Sequence, residues 1–178
     1  MSSDTLKLTQ ADKVAIDNFD SNYINNKGTI LKIIFCDIDN VLNSPYYRNN
    51  HPNDYGYVER RKVNNLRKII DKTNAIVVII SKANTLLGKE YDELRVNQIR
   101  EFGVNPVDSI TSIGHRETKS DVITRWLNEH SYSNANYIVI DDSIDNINEE
   151  MMDNFIHITG KYGLTMNHVT KAVDKLNK

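Results

Sequence analysis

The chain has 178 residues, a net charge of −2 and 39% hydrophobic residues, enough for one domain with a single substantial core. So balanced a charge excludes the basic coat of a strong duplex nucleic-acid binder and any firm draw to an anionic membrane surface. No apolar run reaches membrane-span length, and the start, MSSDTLKLTQ, lacks a signal-peptide apolar region.

The single cysteine, Cys36, has no internal disulfide partner and sits inside an apolar run. It reads as a small buried side chain in a reduced, cytoplasmic compartment. The richness in Asn, Lys and Ile fits an AT-rich genome, such as that of a phage or a low-GC bacterium, which puts the protein in a bacterial or phage-infected cell.

Residues 1–28 are polar, with Leu8, Val14, Ala15, Phe19 and Tyr23 on one weak helical face. They predict an N-terminal helical arm that Lys27-Gly28 ends, followed by one domain over 29–178. Ile30 to Cys36 is apolar except for Lys32, and its β-branched and aromatic content suits a strand buried on both faces. Asp37 stops the run and Asp39 follows at i+2. In extended backbone both carboxylates point the same way, just past the strand's carboxyl end. Such a pair repels itself unless a cation lies between or one group keeps its proton. Asn40 tolerates a left-handed turn there. The same three residues are also ordinary turn formers, so taken alone they leave both readings open.

Ser44 to Tyr57 is aromatic and turn-rich and predicts an exposed loop or short hairpin. Its Tyr46, Tyr47, Arg48, His51 and Tyr55 are either incidental surface groups or a set that stacks on a base. Val58, Lys62, Leu66, Ile69, Ile70 and Thr73 predict a helix over 58–73, with the charges around it on a solvated face. Ala75 to Ile80 is a second buried strand ending at Ser81. Tyr91, Leu94, Gln98 and Phe102 then predict the inward face of a helix over 89–102, closed by Gly103. A third strand is expected over Ser109 to Ile113, and a helix over Lys119 to His130. A further strand over Tyr137 to Ile140 runs into Asp141-Asp142, and the last strand spans Phe155 to Ile158. Thr165 caps a final helix with Val169, Ala172, Val173 and Leu176 on one face. Strands alternating with helices imply crossovers and a parallel sheet, hence an α/β fold with helices on both faces.

In a parallel sheet the strand carboxyl ends share one edge, so Asp37 and Asp39, Ser81, and Asp141-Asp142 can meet there, with Lys119 at a helix start nearby. Clustered carboxylates make a hard-oxygen site for Mg²⁺. A hydroxyl and an ammonium group can hold phosphoryl oxygens. An ionised Asp can attack phosphorus, and a second carboxyl can protonate the leaving oxygen and later activate water.

The order of these motifs resembles that of the haloacid dehalogenase-like (HAD) phosphohydrolases, whose first motif is DxDxx(T/V). FCDIDNVLN matches it, and its VLN ending looks most like the small HAD domains of Swiss-army-knife RNA-repair proteins. The likeness runs from Ile30 to Val173 through KSDVITRWLNEH, YIVIDDS and YGLTMNHV. It implies a three-layer Rossmann-like, essentially capless domain. By the same resemblance Asp37 is the nucleophile and Asp39 the general acid/base, Ser81 and Lys119 bind phosphate, and Asp37, the backbone carbonyl of Asp39, Asp141 and Asp142 hold Mg²⁺. The implied activity is hydrolysis of a phosphomonoester on a small molecule, nucleotide or nucleic-acid end, in an open site. A phosphotransferase is a further option.

Departures are Asn40 where glycine is commonest, and Lys82, Ala83, Asn84 and Thr85 where relatives carry a second hydroxyl and a Trp-Arg pair. They motivate the alternative of a catalytically weak nucleotide-binding or interaction module. Lys82 either touches phosphate or covers the sheet edge, and Asp145 either caps a helix or aids the metal through water. Trp126 reads as core, and His51, His115 and His130 as surface residues.

Overall fold

A computed structural model describes residues 30–51, 57–81, 88–110 and 117–178. The expected arm over 1–28, together with Tyr55, Lys82, Ala83, Asn84, Thr85 and His115, lies outside them. The described fold belongs to the unit Leu31–Lys178.

Five strands form one all-parallel sheet: β1 (Lys32–Cys36), β2 (Ile76–Ile80), β3 (Asp108–Ile110), β4 (Asn136–Asp141) and β5 (Phe155–His157), in the order β3-β2-β1-β4-β5. The central strand β1 is buried on both faces, with Ile33, Ile34, Phe35 and Cys36 fully enclosed. That burial explains its unbroken apolar sequence, where a one-sided strand would alternate.

The helices are α1 (Pro45–Asn50), α2 (Arg60–Thr73), α3 (Gly88–Glu101), α4 (Lys119–Glu129) and α5 (Met166–Leu176). Ile34, Cys36, Ile138 and Ile140 pack with Leu66 and Ile69 of α2, Ile99 of α3, and Val169 and Ala172 of α5. On the other face Phe35 meets Trp126 of α4 edge-on, ring centroids 5.5 Å apart. The chain steps outward from β1 through α2, β2 and α3 to β3, then returns through α4 to β4. Crossovers of one hand therefore place α4 on the opposite face from α2 and α3. The result is the three-layer α/β architecture expected.

Helix ends follow local chemistry. Asn74 takes the left-handed conformation (φ 56°) and its N–H bonds Ile70 O, which closes α2. Thr118 and Asp121 form a capping box that starts α4 at Lys119.

Three expectations need correction. The stretch after Ser44 is not a loop or hairpin at its start: Ser44 accepts from the Tyr47 N–H and Pro45 occupies the first turn, so a six-residue helix forms before His51. The inward face of α3 is rotated from the expected stripe, with Asp92, Arg95, Val96 and Ile99 buried and Leu94 45% exposed. Polar residues on the inner face hid it from an apolar-periodicity reading. Gln98 is buried as part of both faces because its Oε1 accepts the Val58 N–H at 3.1 Å. The third strand begins at Asp108, one residue early, and 111–113 lie outside the described residues.

Candidate active site

The acidic cluster is a consequence of strand register. Cys36 pairs with Ile140, and the Asp37 N–H donates to Ile140 O at 2.9 Å, which brings Asp37 level with Asp141. Phe35 and Val139 are also paired, so the residues two further on share their side of the sheet, the side that α4 covers. The capping box begins α4 at that level and delivers Lys119. Its Nζ lies 3.2 Å from Asp37 Oδ1 and also bonds Asp141 Oδ2. Asp37 and Lys119 are 4% exposed and Asp141 is fully buried. Asp142 is half-buried, and one carboxylate oxygen each from Asp37, Asp141 and Asp142 lies within 4.8 Å of the others.

Burial penalises charge here, and neighbouring charges divide the outcome. For Asp37, burial is the largest influence and lifts the carboxyl to about 7, with Asp141 and Asp39 adding to the rise and Lys119 opposing it. For Lys119, burial alone would lower the ammonium, yet Asp37 and Asp141 overcome it and hold it above its ordinary value. The Cys36 thiol is driven well up, first by burial and then by Asp37 and Asp141. It stays protonated and inert, as a core side chain should.

Asp39 goes elsewhere. Its side chain is 45% exposed, its Oδ1 lies 3.0 Å from Nη2 of Arg95, and it accepts from Asn43 Nδ2 at 3.1 Å. Extended geometry predicted that Asp37 and Asp39 would converge, but the chain turns at Asn40 (φ 59°), and the guanidinium of α3 lies at Asp39. Arg95 is itself 1% exposed, with Asp92 3.7 Å away on the previous turn of the helix. Burial raises the Asp92 carboxyl, Arg95 lowers it and Asp39 raises it further.

The turn is held by a polar set. Asn43 Oδ1 receives the Asn40 N–H at 3.0 Å, and Asn40 Nδ2 donates to Asp142 Oδ2 at 2.7 Å. Arg48 of α1 donates to Asn40 Oδ1 at 2.5 Å and to Asn43 O at 3.2 Å. Asn40 thus links Arg48 to the acidic cluster, a link that neither residue's type announces.

Ser81 follows β2 directly. Its Oγ is fully buried and has no hydrogen-bond partner among the described residues, while its N–H donates to Ile110 O at 3.0 Å. Asp145 is exposed within a 3-10 turn, Ile144–Asn146, whose cap position is Ser143. The expected capping role for Asp145 therefore fails, because the turn starts one residue before it. Trp126 is core, and its Nε1 donates to Asp108 Oδ2 at 2.6 Å. His51 is exposed, whereas His130 is half-buried against Trp126, ring centroids 4.1 Å apart, because it caps the end of α4.

Gly163 braces the turn from outside. It has φ 59°, and a Cβ there would stand 2.6 Å from Val41 O and 3.2 Å from Asn40 O. The next N–H, of Leu164, donates to Val41 O at 2.9 Å. Gly163→Ala is expected to cost at least about 2 kcal/mol, from strain and from backbone contact together. A melting temperature lower by roughly 4–8 °C would register it, and an unchanged melt would refute the bracing role.

A parallel Rossmann-like sheet with buried acids and a lysine at its carboxyl edge is consistent with the HAD-like class of α/β domain. The chain belongs to the family described as the HAD domain in Swiss Army Knife RNA repair proteins, whose model matches residues 33–169. No individual curated protein matches the sequence. No helix among the described residues is long and apolar enough to cross a membrane.

Three oxygens of carboxylates within 4.8 Å of one another suit a small hard cation. Two of these groups already share the Lys119 ammonium, which offsets only part of their charge. The chemistry of this donor set, Asp37, Asp141 and Asp142, is compatible with a metal ion.

Proposed function

We propose that the protein is a Mg²⁺-dependent phosphomonoesterase working through an aspartyl-phosphate, with a nucleotide or a phosphorylated nucleic-acid end as substrate. The observation that carries this reading is the Lys119 ammonium bridging Asp37 and Asp141, with Asp142 beside them at the carboxyl edge. A nucleophilic carboxylate must approach an anionic phosphate, and that approach needs neutralising charge at the point of attack.

Asp37 forms a bond to phosphorus as the bond to the leaving oxygen breaks, and the Asp39 carboxyl gives its proton to that oxygen. Asp39 then takes a proton from water, whose oxygen attacks phosphorus, frees inorganic phosphate and restores Asp37. Lys119 orients Asp37 and pairs with phosphoryl oxygens, and the buried Ser81 hydroxyl supplies a donor to another. Asp37, Asp141, Asp142 and the backbone carbonyl of Asp39 would hold Mg²⁺, which would supply Lewis-acid stabilisation of phosphoryl charge. The 45% exposure of the Asp39 side chain supports an acid/base role toward a solvent-facing leaving group.

The site also suits a large phosphoester. The segments leaving the carboxyl edge after Ser81 and after Ile110 reach the next helix by Gly88 and Lys119, too soon to contain a separate cap domain. The family's place in RNA repair proteins supports a nucleic-acid end over a free sugar phosphate. A screen of nucleotides and of oligonucleotides phosphorylated at either end, scored by phosphate release in Mg²⁺, tests the reading. Release from at least one class, abolished by EDTA, is expected. Tight binding without release across the whole panel would leave a nucleotide-binding module instead.

A further inference from the structure

Outside the acidic cluster, the described surface carries a pair of exposed tyrosines in ring contact. Tyr46 of α1 and Tyr162 are 51% and 53% exposed, with ring centroids 5.6 Å apart and planes tilted by 48°. Lys161 Nζ stands 5.2 Å over the Tyr162 ring. Rings this exposed contribute little to the core, yet the main chain that carries them is tied down. The Tyr46 N–H donates to Lys161 O at 3.0 Å, and Gly163 and Leu164 lie against Val41 O.

Topology puts the group on the same sheet edge as the acids. Tyr46 follows the carboxyl end of β1 and Tyr162 follows that of β5, and in an all-parallel sheet both exits lie on one edge. The contacts are continuous as well. Arg48, two residues beyond Tyr46, donates to Asn40, and Asn40 donates to Asp142. The cations that contacts place here are Lys161, over the Tyr162 ring, and Arg48 of α1, while the carboxylates Asp39 and Asp142 lie a step further on, held by Asn43 and Asn40.

We propose that Tyr46 and Tyr162 form a stacking platform for an unpaired nucleobase of a single-stranded nucleic-acid end, with Lys161 engaging the backbone phosphate beside that base. Which phosphate then reaches Asp37 rests on the phosphomonoesterase reading, but the platform's binding of a strand does not. Stacking on tyrosine faces is tolerant of sequence and needs an accessible π-face, so a paired end should bind less well. Because that main chain is already tied down, little ordering of it is required on binding. A protein partner would use the same rings as apolar anchors and would show no preference for unpaired bases.

The test uses the full chain carrying Asp37→Asn in Mg²⁺, so that a labelled, terminally phosphorylated short single strand can be titrated by fluorescence polarisation without turnover. Tyr46→Ala and Tyr162→Ala are each expected to weaken binding about tenfold, while Tyr46→Phe and Tyr162→Phe restore it, since the ring faces are kept. Lys161→Ala should lower the slope of log affinity against log salt by about 0.7. Melting curves of each variant separate lost binding from lost fold. Alanine variants that melt like the parent and bind within about twofold of it would overturn the platform, as would Phe variants as weak as the Ala ones. A blunt duplex bound as tightly as the single strand would also overturn it, and so would a parent that binds no strand but self-associates through these tyrosines. Strand binding that follows these rules without phosphate release from the unsubstituted protein would instead sink the phosphatase reading and leave the platform standing.

Discussion

Asp37→Asn should lower phosphate release by about 10³-fold or more, because without the carboxylate no covalent phosphoryl intermediate can form. The substitution is nearly isosteric in a site that is 4% exposed, so packing around β1 is retained. It also removes one of the carboxylates competing for the Lys119 ammonium, while Asp141 keeps its bond to Lys119. The metal-free variant should therefore melt at or above the temperature of the parent, as is common where a functional site holds like charges together. Steady-state assays beside thermal melts decide the matter. Full activity would remove Asp37 from its assigned role, and an inactive but unfolded variant would show only that the site is structural.

The second large effect joins pH to the metal. In the metal-free protein, burial foremost, then Asp141 and Asp39, hold the Asp37 carboxyl at about 7 against an ordinary value of 3.8, with Lys119 pulling the other way. Between those values the folded state binds the proton that the unfolded chain has released. Its stabilising contribution is thus complete below about pH 4 and is lost as pH rises through about 7. Mg²⁺ needs the ionised carboxylate, so its binding strengthens over the same interval. Without metal, the melting temperature should fall between pH 5.5 and pH 8. Mg²⁺ at about a hundred times its dissociation constant should add about 2.7 kcal/mol at pH 8, or roughly 5–11 °C for a chain of this length, and much less at pH 5.5. EDTA should reverse the gain. Asp37→Asn should flatten the pH dependence of the Mg²⁺ effect, which assigns the titration to this residue. A melt at pH 8 that ignores Mg²⁺ would dismiss the cation site.

The strands were legible because a doubly covered parallel sheet demands continuous apolar runs, and Ile30 to Cys36, Ala75 to Ile80 and Tyr137 to Ile140 are such runs. Their polar endings marked the carboxyl edge, since a chain leaving a buried sheet must return to water there. The capping residue Thr165 was legible too, because a helix start needs a side-chain acceptor for its free N–H groups.

Side-chain partners were less legible. Arg95 reaches Asp39 from the inner face of α3, and its charge disguised that face as solvent-exposed. Asn43 and Arg48 hold the turn after Asp39 from positions that composition read as loop. Tyr162 joins Tyr46 across more than a hundred residues of chain, and Gly163 is required to be glycine by a carbonyl contributed by β1's exit loop.

The sequence alone determined that the long apolar runs would be buried strands, and hence that the Asp37, Ser81 and Asp141 ending them would share one edge. Only the folded chain decided that Lys119 stands between Asp37 and Asp141, and that Asp39 turns to Arg95 instead of joining them. The reason is the range of the forces involved. Hydrophobic periodicity is local and survives in the one-dimensional order of residues. The pairing of a buried charge depends on which distant group the packing brings within a few ångströms.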